Sequence, residues 1–156
     1  MVTITTQTAT AELWNDAVAA LTGGGDGKTC WCQWWYLPNK EWRETPVDER
    51  EELLQAQLAE QGPRALIAYA DGEPAGWCRI APRVEQGRLL RSKILGASDL
   101  APDAPSVWSI SCVVVRSEHR GEGLLPAPAG TGSGHGRVQH LRDDDGDDGA
   151  DDGRDL

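Results

Sequence analysis

Apolar and polar positions alternate, cluster and recur along the chain in a way that predicts most of its elements. Residues 2–6 carry β-branched side chains in alternation and predict a first strand at a sheet edge. Thr10 stands where a helix cap would, and Leu13, Trp14, Ala17, Val18 and Leu21 then form one apolar stripe on a helix over residues 11–21. The triple glycine at 23–25 ends it. Thr45-Pro46-Val47-Asp48 opens another helix, which runs to about residue 61 with Val47, Leu54 and Leu58 inward, until Gly62-Pro63 stops it. Two apolar runs, 65–70 and 73–80, flank Asp71-Gly72 and predict a hairpin with a two-residue turn. Residues 83–95 read as a basic helix or loop, and 98–106 as a Pro/Ala/Asp loop. The longest apolar run, 107–115, predicts one buried strand. It breaks at Arg116-Ser117 and leads into Arg120-Gly121-Glu122-Gly123.

That last junction carries the chemistry. A strand that runs into a glycine-spaced turn leaves backbone N–H groups free to face an anion, and a helix after it would point its positive end at the same place. The pattern alone is equally that of an ordinary turn.

At these residues the chain resembles the GNAT superfamily of acyl-coenzyme-A-dependent N-acyltransferases. The family's signature is a hydrophobic strand, a short polar link, then Arg/Gln-x-x-Gly-x-Gly/Ala opening a helix. Arg120-Gly121-Glu122-Gly123-Leu124 matches its first five places, and Leu125 departs from the sixth. The order and spacing of the 65–80 hairpin agree with the family's second and third strands, so the resemblance covers residues 1–124. It implies an α+β fold, a mixed and mostly antiparallel sheet with flanking helices. It implies acetyl-coenzyme A as cosubstrate and a small-molecule amine as acceptor. Residue by residue, it implies that Val113, Val114 and Val115 hold the pantetheine arm, and that Arg120, Gly121, Glu122, Gly123 and Leu124 hold the pyrophosphate.

Beyond Leu124 the resemblance stops. The family continues there with a helix, a fifth strand, another helix and a hairpin, and its usual thiolate-protonating Tyr lies in that part. Here Pro126 and Pro128 each oppose a helix by about 3 kcal/mol and the repeated glycines by about 1 each. No Tyr follows Leu124, and nothing further on has strand periodicity. Residues 125–156 hold eight Asp, three Arg and seven Gly, with no Glu, Lys, Ile or aromatic residue. We therefore expect a GNAT-like domain over 1–124 that is incomplete on its C-terminal side, and a disordered Gly/Asp-rich tail over 125–156. The abrupt join reads as a shifted reading frame, with a naturally divergent tail as the alternative. Asp144, Asp148, Gly149 and Asp155 sit at offsets of a calcium loop, but Gly146 occupies a ligand position, so that motif fails.

Half of the net charge of −10 lies in those last 32 residues, which leaves the body mildly acidic. No basic face is available for phosphates, which argues against nucleic acid as a partner. No apolar run approaches a membrane span, and the N-terminal residues lack a signal-peptide form, so a cytoplasmic protein is expected. Four cysteines in that compartment are expected to be thiols.

Cys30-Trp31-Cys32-Gln33-Trp34-Trp35-Tyr36 is the most unusual stretch of the body. If extended, it sets Cys30, Cys32 and Trp34 on one side. It reads as aromatic packing around two small thiols, as indole walls of an acceptor pocket, or as half of a metal site that lacks further ligands, and we expect no metal. A Cys-Trp-Cys-x-x-Trp stretch is also similar to one in a subgroup of the GNAT family. Arg83, Arg88, Arg91 and Lys93 read as a surface face or as contacts to an acceptor carboxylate or phosphate. Glu118 and His119 flank the turn and are candidate proton carriers. Ser109 and Ser111 read as packing residues, and no catalytic residue is assigned. The second functional reading is a non-catalytic, Trp-lined binding protein or an inactive remnant of an acyltransferase.

Overall fold

A computed structural model describes residues 1–93, 99–101, 103–124 and 138–140. Among the described residues, five strands form one sheet in the order β1-β2-β3-β4-β5: β1 is Ile4–Thr8, β2 Ala65–Ala70, β3 Glu73–Pro82, β4 Trp108–Val115 and β5 Val138–His140. The first four pair antiparallel, and β5 joins β4 in parallel. The helices are α1 (Trp14–Thr22), α2 (Gly27–Cys30), α3 (Asn39–Glu44), α4 (Val47–Ala59) and α5 (Gly87–Leu90). This is the expected α+β architecture, a mixed and mostly antiparallel sheet with flanking helices.

The β2–β3 hairpin forms for the reason its sequence suggests. Asp71 (φ +49°) and Gly72 (φ +86°) both take left-handed backbone, which matches the twist of the flanking strands. Asp71 also ties β1 down, because its Oδ1 accepts from the Thr3 amide at 2.8 Å. The edge strand sits two residues later than its alternation predicts, and all five of its residues are exposed. A strand with no buried face specifies its register weakly.

One face of the sheet builds the core. Ala65, Ile67, Tyr69, Trp77 and Val114 meet Ala17, Ala20 and Leu21 of α1 and Leu54 and Leu58 of α4. The opposite face, carried by Leu66, Cys78, Ile80, Ile110 and Val113, is half-buried. Leu54 and Leu58 point inward as expected, but Val47 is exposed. Thr45 does not cap α4. Its hydroxyl donates to the Glu41 carbonyl at 2.6 Å and so closes α3, while Pro46 takes the cap position.

Two expectations are corrected. The stretch from Cys30 is not extended: α2 ends there, and Trp31 (φ +49°) and Cys32 (φ +55°) take left-handed backbone in succession. That turn sends both side chains into the core, where Trp31 stacks on Trp14 at 6.0 Å, and leaves Trp34 outside. A strand also follows Leu124, since Val138–His140 pairs with Trp108, Ser109 and Ile110. Those three residues are too few to show periodicity, and the unpaired edge of β4 supplies the template. The rest of the expected tail, including the calcium-like aspartates, lies outside the described residues.

The Tyr69 hydroxyl donates to Asp16 Oδ2 at 2.8 Å. Burial first, then the Asp16 carboxylate, pushes the phenol up to about 12. A pKa raised on folding contributes stability that is complete below the ordinary value of about 10 and is lost as pH climbs through that of the folded state. Urea midpoints should therefore fall between pH 10 and about 12, and the fall should be shallower in Tyr69→Phe. An identical alkaline slope in the variant would show that this contact is not its source.

Candidate functional site

β4 does not pair evenly with β3. Cys112 faces Arg79 and Ile110 faces Ile80, so Ser111 is an extra residue, a bulge in the middle of the strand. A bulge bends its strand and turns a backbone group out of the ladder. Here the Ser111 carbonyl accepts from Trp35 Nε1 at 3.1 Å. Beyond Ile110, the outer edge of β4 has no strand partner among the described residues, because β5 pairs only with Trp108, Ser109 and Ile110. The outward-facing backbone groups of 112–115 thus have no ladder partner among the described residues.

The three valines divide between the two faces. Val114 pairs with Trp77 and lies in the core, while Val113 and Val115 pair with Cys78 and Gly76 and are half-buried. After Val115 the chain turns through Ser117–His119 into the glycine segment. Gly121 (φ +84°) and Gly123 (φ +79°) both have left-handed backbone that other residues adopt at a cost. A Cβ added at either would meet nothing within 4 Å. None of the amides of Gly121, Glu122, Gly123 and Leu124 donates to a described backbone carbonyl. The turn is open and its donors are available, which fits an anion such as a pyrophosphate.

The side chains of that segment point elsewhere. The Glu122 carboxylate meets His119 Nδ1 at 2.9 Å. Arg120 reaches back, its Nη2 lying 3.3 Å from where a Cβ on Gly24 would be. The Ser117 amide donates to the Gly23 carbonyl, so the end of α1 braces the same turn. Leu124 is half-buried, and the helix that the resemblance places after it falls outside the described residues.

Glu118 is a poor candidate to accept a proton. It bonds to its own backbone amide and pairs with Arg116, which holds its carboxyl below the usual range. A base that is harder to protonate is a weaker one. His119 is oriented through Nδ1 by the Glu122 carboxylate.

Ser109 and Ser111 stand on β4 on either side of Ile110. Both are buried, and neither hydroxyl has a hydrogen-bond partner among the described residues. Ser109 shares a face with Arg79, which is fully buried under the ring of Tyr36 at 4.5 Å. The sequence reading passed over Arg79, although its place two residues after Trp77 and two before Ala81 puts it on the inward face of β3. The surface reading of the basic segment fails for two of its members. Arg83 is fully buried and donates to the Ala101 carbonyl, and Arg88 lies over Trp34 at 3.7 Å while donating to the Leu37 carbonyl. Arg91 and Lys93 are exposed.

Of the four cysteines Cys32 is buried, and Cys30, Cys78 and Cys112 are half-buried. None forms a disulfide, and among the described residues no three His, Cys, Asp or Glu gather as a metal cluster. Burial, and then Cys32, pushes the Cys78 thiol up to about 11. Since the thiolate is the reactive form, Cys78 should alkylate on the order of 10²-fold more slowly at pH 8 than an ordinary thiol. Iodoacetamide labelling followed by mass spectrometry reads this directly. Labelling at the rate of a free thiol would contradict it.

Comparison with known proteins gives the class and then the family. The model of the Acetyltransferase (GNAT) family matches residues 31–124, and the chain belongs to that family. The match ends at the last residue of the glycine turn. The chain is similar to diaminobutyrate acetyltransferase from Paenibacillus lautus, solved with its substrate L-2,4-diaminobutyric acid and coenzyme A. The two are 14% identical over 79% of this chain and 52% of that one, with a TM-score of 0.43. An N-acetyltransferase from Staphylococcus aureus Mu50 is 14% identical over 78% of this chain and 59% of that one, with a TM-score of 0.41. A GNAT-family acetyltransferase from Streptococcus pneumoniae is 15% identical over 78% and 60%, with a TM-score of 0.38. The chain thus spans 52–60% of the length of these three structures. No curated protein matches the chain at a significant level. Among the described residues, no helix is long and apolar enough to cross a membrane.

Proposed function

We propose that the chain carries the donor half of an N-acetyltransferase that uses acetyl-coenzyme A and acts on a small amine in the cytoplasm. The observation behind this reading is the continuity of the bulged, open-edged β4 with the left-handed Gly121 and Gly123. Open backbone groups at 113–115 suit the amides of a pantetheine arm, and the amides of 121–124 suit a pyrophosphate. Bound acetyl-coenzyme A would supply a thioester whose carbonyl carbon bonds to the amine nitrogen as the C–S bond breaks, the nitrogen losing a proton and coenzyme A leaving as the thiol. The contribution of the chain's own residues is placement, holding donor and acceptor at the bulge.

The amides are half of a pyrophosphate grip, and the helix that would complete it falls outside the described residues. Pro126 and Pro128 oppose such a helix. We therefore expect weak binding and little turnover from this chain. Differential scanning fluorimetry tests it: millimolar acetyl-coenzyme A should raise the melting temperature of the wild type, and Gly121→Pro should abolish the shift. No shift at any concentration favours the alternative, a non-catalytic Trp-lined binding protein or inactive remnant. The outward Trp34, set edge-on to Trp42 at 5.2 Å, is the feature that such a protein would use.

A further inference from the structure

Arg79 is an unusual residue to find at the centre of a sheet. It is fully buried, yet no carboxylate pairs with it among the described residues. One guanidinium nitrogen, Nη2, donates to Gln57 Oε1 of α4, while Nε and Nη1 have no partner there. A guanidinium taken out of water without a counter-charge is a costly arrangement that folded chains rarely keep.

The surroundings are built to hold it in place. Gln57 is locked by Gln33, which donates to Gln57 Oε1 at 2.9 Å and accepts from Gln57 Nε2 at 3.2 Å. Gln33 is itself fully buried, delivered by the two left-handed residues that precede it. Backbone strain of this kind persists only where the rest of the structure enforces it. Tyr36 covers the guanidinium from above, and its buried hydroxyl lies next to Arg79. Burial raises the phenol's pKa against the pull of Arg79, so the hydroxyl remains a donor. Ser109 and Ser111 add two hydroxyls, unpartnered among the described residues, from the bulged part of β4.

Arg79 and Tyr36 touch, Ser109 lies on the face of Arg79, and Ser111 is the bulged residue next to Cys112, which pairs with Arg79. We infer that Arg79, with Tyr36, Ser109 and Ser111 around it, forms a subsite for a carboxylate, so that the amine acceptor is an amino acid or a similar amino carboxylate. The carboxylate would supply the missing counter-charge to Nε and Nη1, for which a planar fork is suited. The acceptor's being an amine rests on the acyltransferase reading; the carboxylate subsite does not.

The test needs no acyl donor. In the full chain labelled with ¹⁵N, the Arg79 Nε–H and the Trp35 indole N–H are followed as sodium acetate is added, with sodium chloride at equal ionic strength as reference. Saturable shifts with an apparent Kd on the order of 10 mM are expected for acetate and not for chloride. Arg79→Met should abolish them, and Arg88→Met, which removes the guanidinium over Trp34, should leave them intact. Should Arg79→Met not fold, Arg79→Lys keeps the charge without the fork and should weaken acetate at least about tenfold. Resonances that do not move up to about 100 mM acetate, that follow chloride equally, or that shift unchanged in either Arg79 variant would overturn the subsite. Such a failure would leave acetyl-coenzyme A binding untouched, and a failure of the latter would leave the subsite standing.

Discussion

Truncating Trp77 to alanine is expected to remove about 4 kcal/mol of stability, a large fraction of the about 5–15 kcal/mol that holds a domain folded. Trp77 is 1% exposed and pairs with both Ile67 and Val114 across the sheet, against the residues of α1. Its indole N–H donates to Cys32 Sγ at 3.2 Å, which links the sheet to the left-handed turn after α2. Alanine would leave a cavity lined by groups that belong to three different elements, and none of them can close it alone. Urea unfolding followed by far-ultraviolet circular dichroism should show either a collapsed midpoint or no folded baseline. A loss under about 1 kcal/mol would mean that the core is not organised around this side chain.

A second large effect is expected from the smallest substitution, Gly27→Ala. A Cβ there would stand 2.1 Å from the Leu21 carbonyl oxygen and 2.9 Å from its carbon. Those are backbone atoms at the end of α1, so the contact can be relieved only by moving α2 away from α1. We expect a cost of about 3 kcal/mol. The displacement also reaches the site, because the chain after α2 carries Gln33 to Gln57, Trp35 to Ser111 and Tyr36 to Arg79. The Trp35 indole resonance should therefore shift in this variant even where it stays folded. Gly25→Asn is the control, since its left-handed backbone suits asparagine and nothing lies within 4 Å of the added Cβ. Equal losses in the two variants would refute the packing argument.

How far the sequence could be read depended on whether local chemistry or distant packing decided each element. Asp71-Gly72 specifies its own turn, and the spacing of Leu54 and Leu58 specifies the buried side of α4, so both were legible. The glycine turn was legible for the same reason, since Gly121 and Gly123 adopt the left-handed backbone that their residue type permits. Trp31 and Cys32 adopt it against their residue type, under the pull of the core, and no local rule signals that. Thr45 illustrates a competition: its hydroxyl could serve either the helix before it or the one after, and the nearer carbonyl of Glu41 won. Arg79 was missed because arginine on a strand is ordinarily read as an outward position. The alternation of Trp77, Arg79 and Ala81 was the available sign. The pairing of β5 depends on the free edge of β4 more than on its own three residues, and so it had no signal of its own.

The central claim is that β4 and the glycine turn after it together form an acyl-coenzyme-A site. The most direct measurement is an amide chemical-shift titration of the 156-residue chain with acetyl-coenzyme A. The account predicts a saturable response with a dissociation constant in the millimolar range. The largest shifts should fall on Val113, Val114, Val115, Gly121, Glu122, Gly123 and Leu124, and Gly121→Pro should abolish them. Silence at those amides in about 10 mM ligand, or shifts concentrated elsewhere, would contradict the site, and a micromolar affinity would contradict the half-built grip.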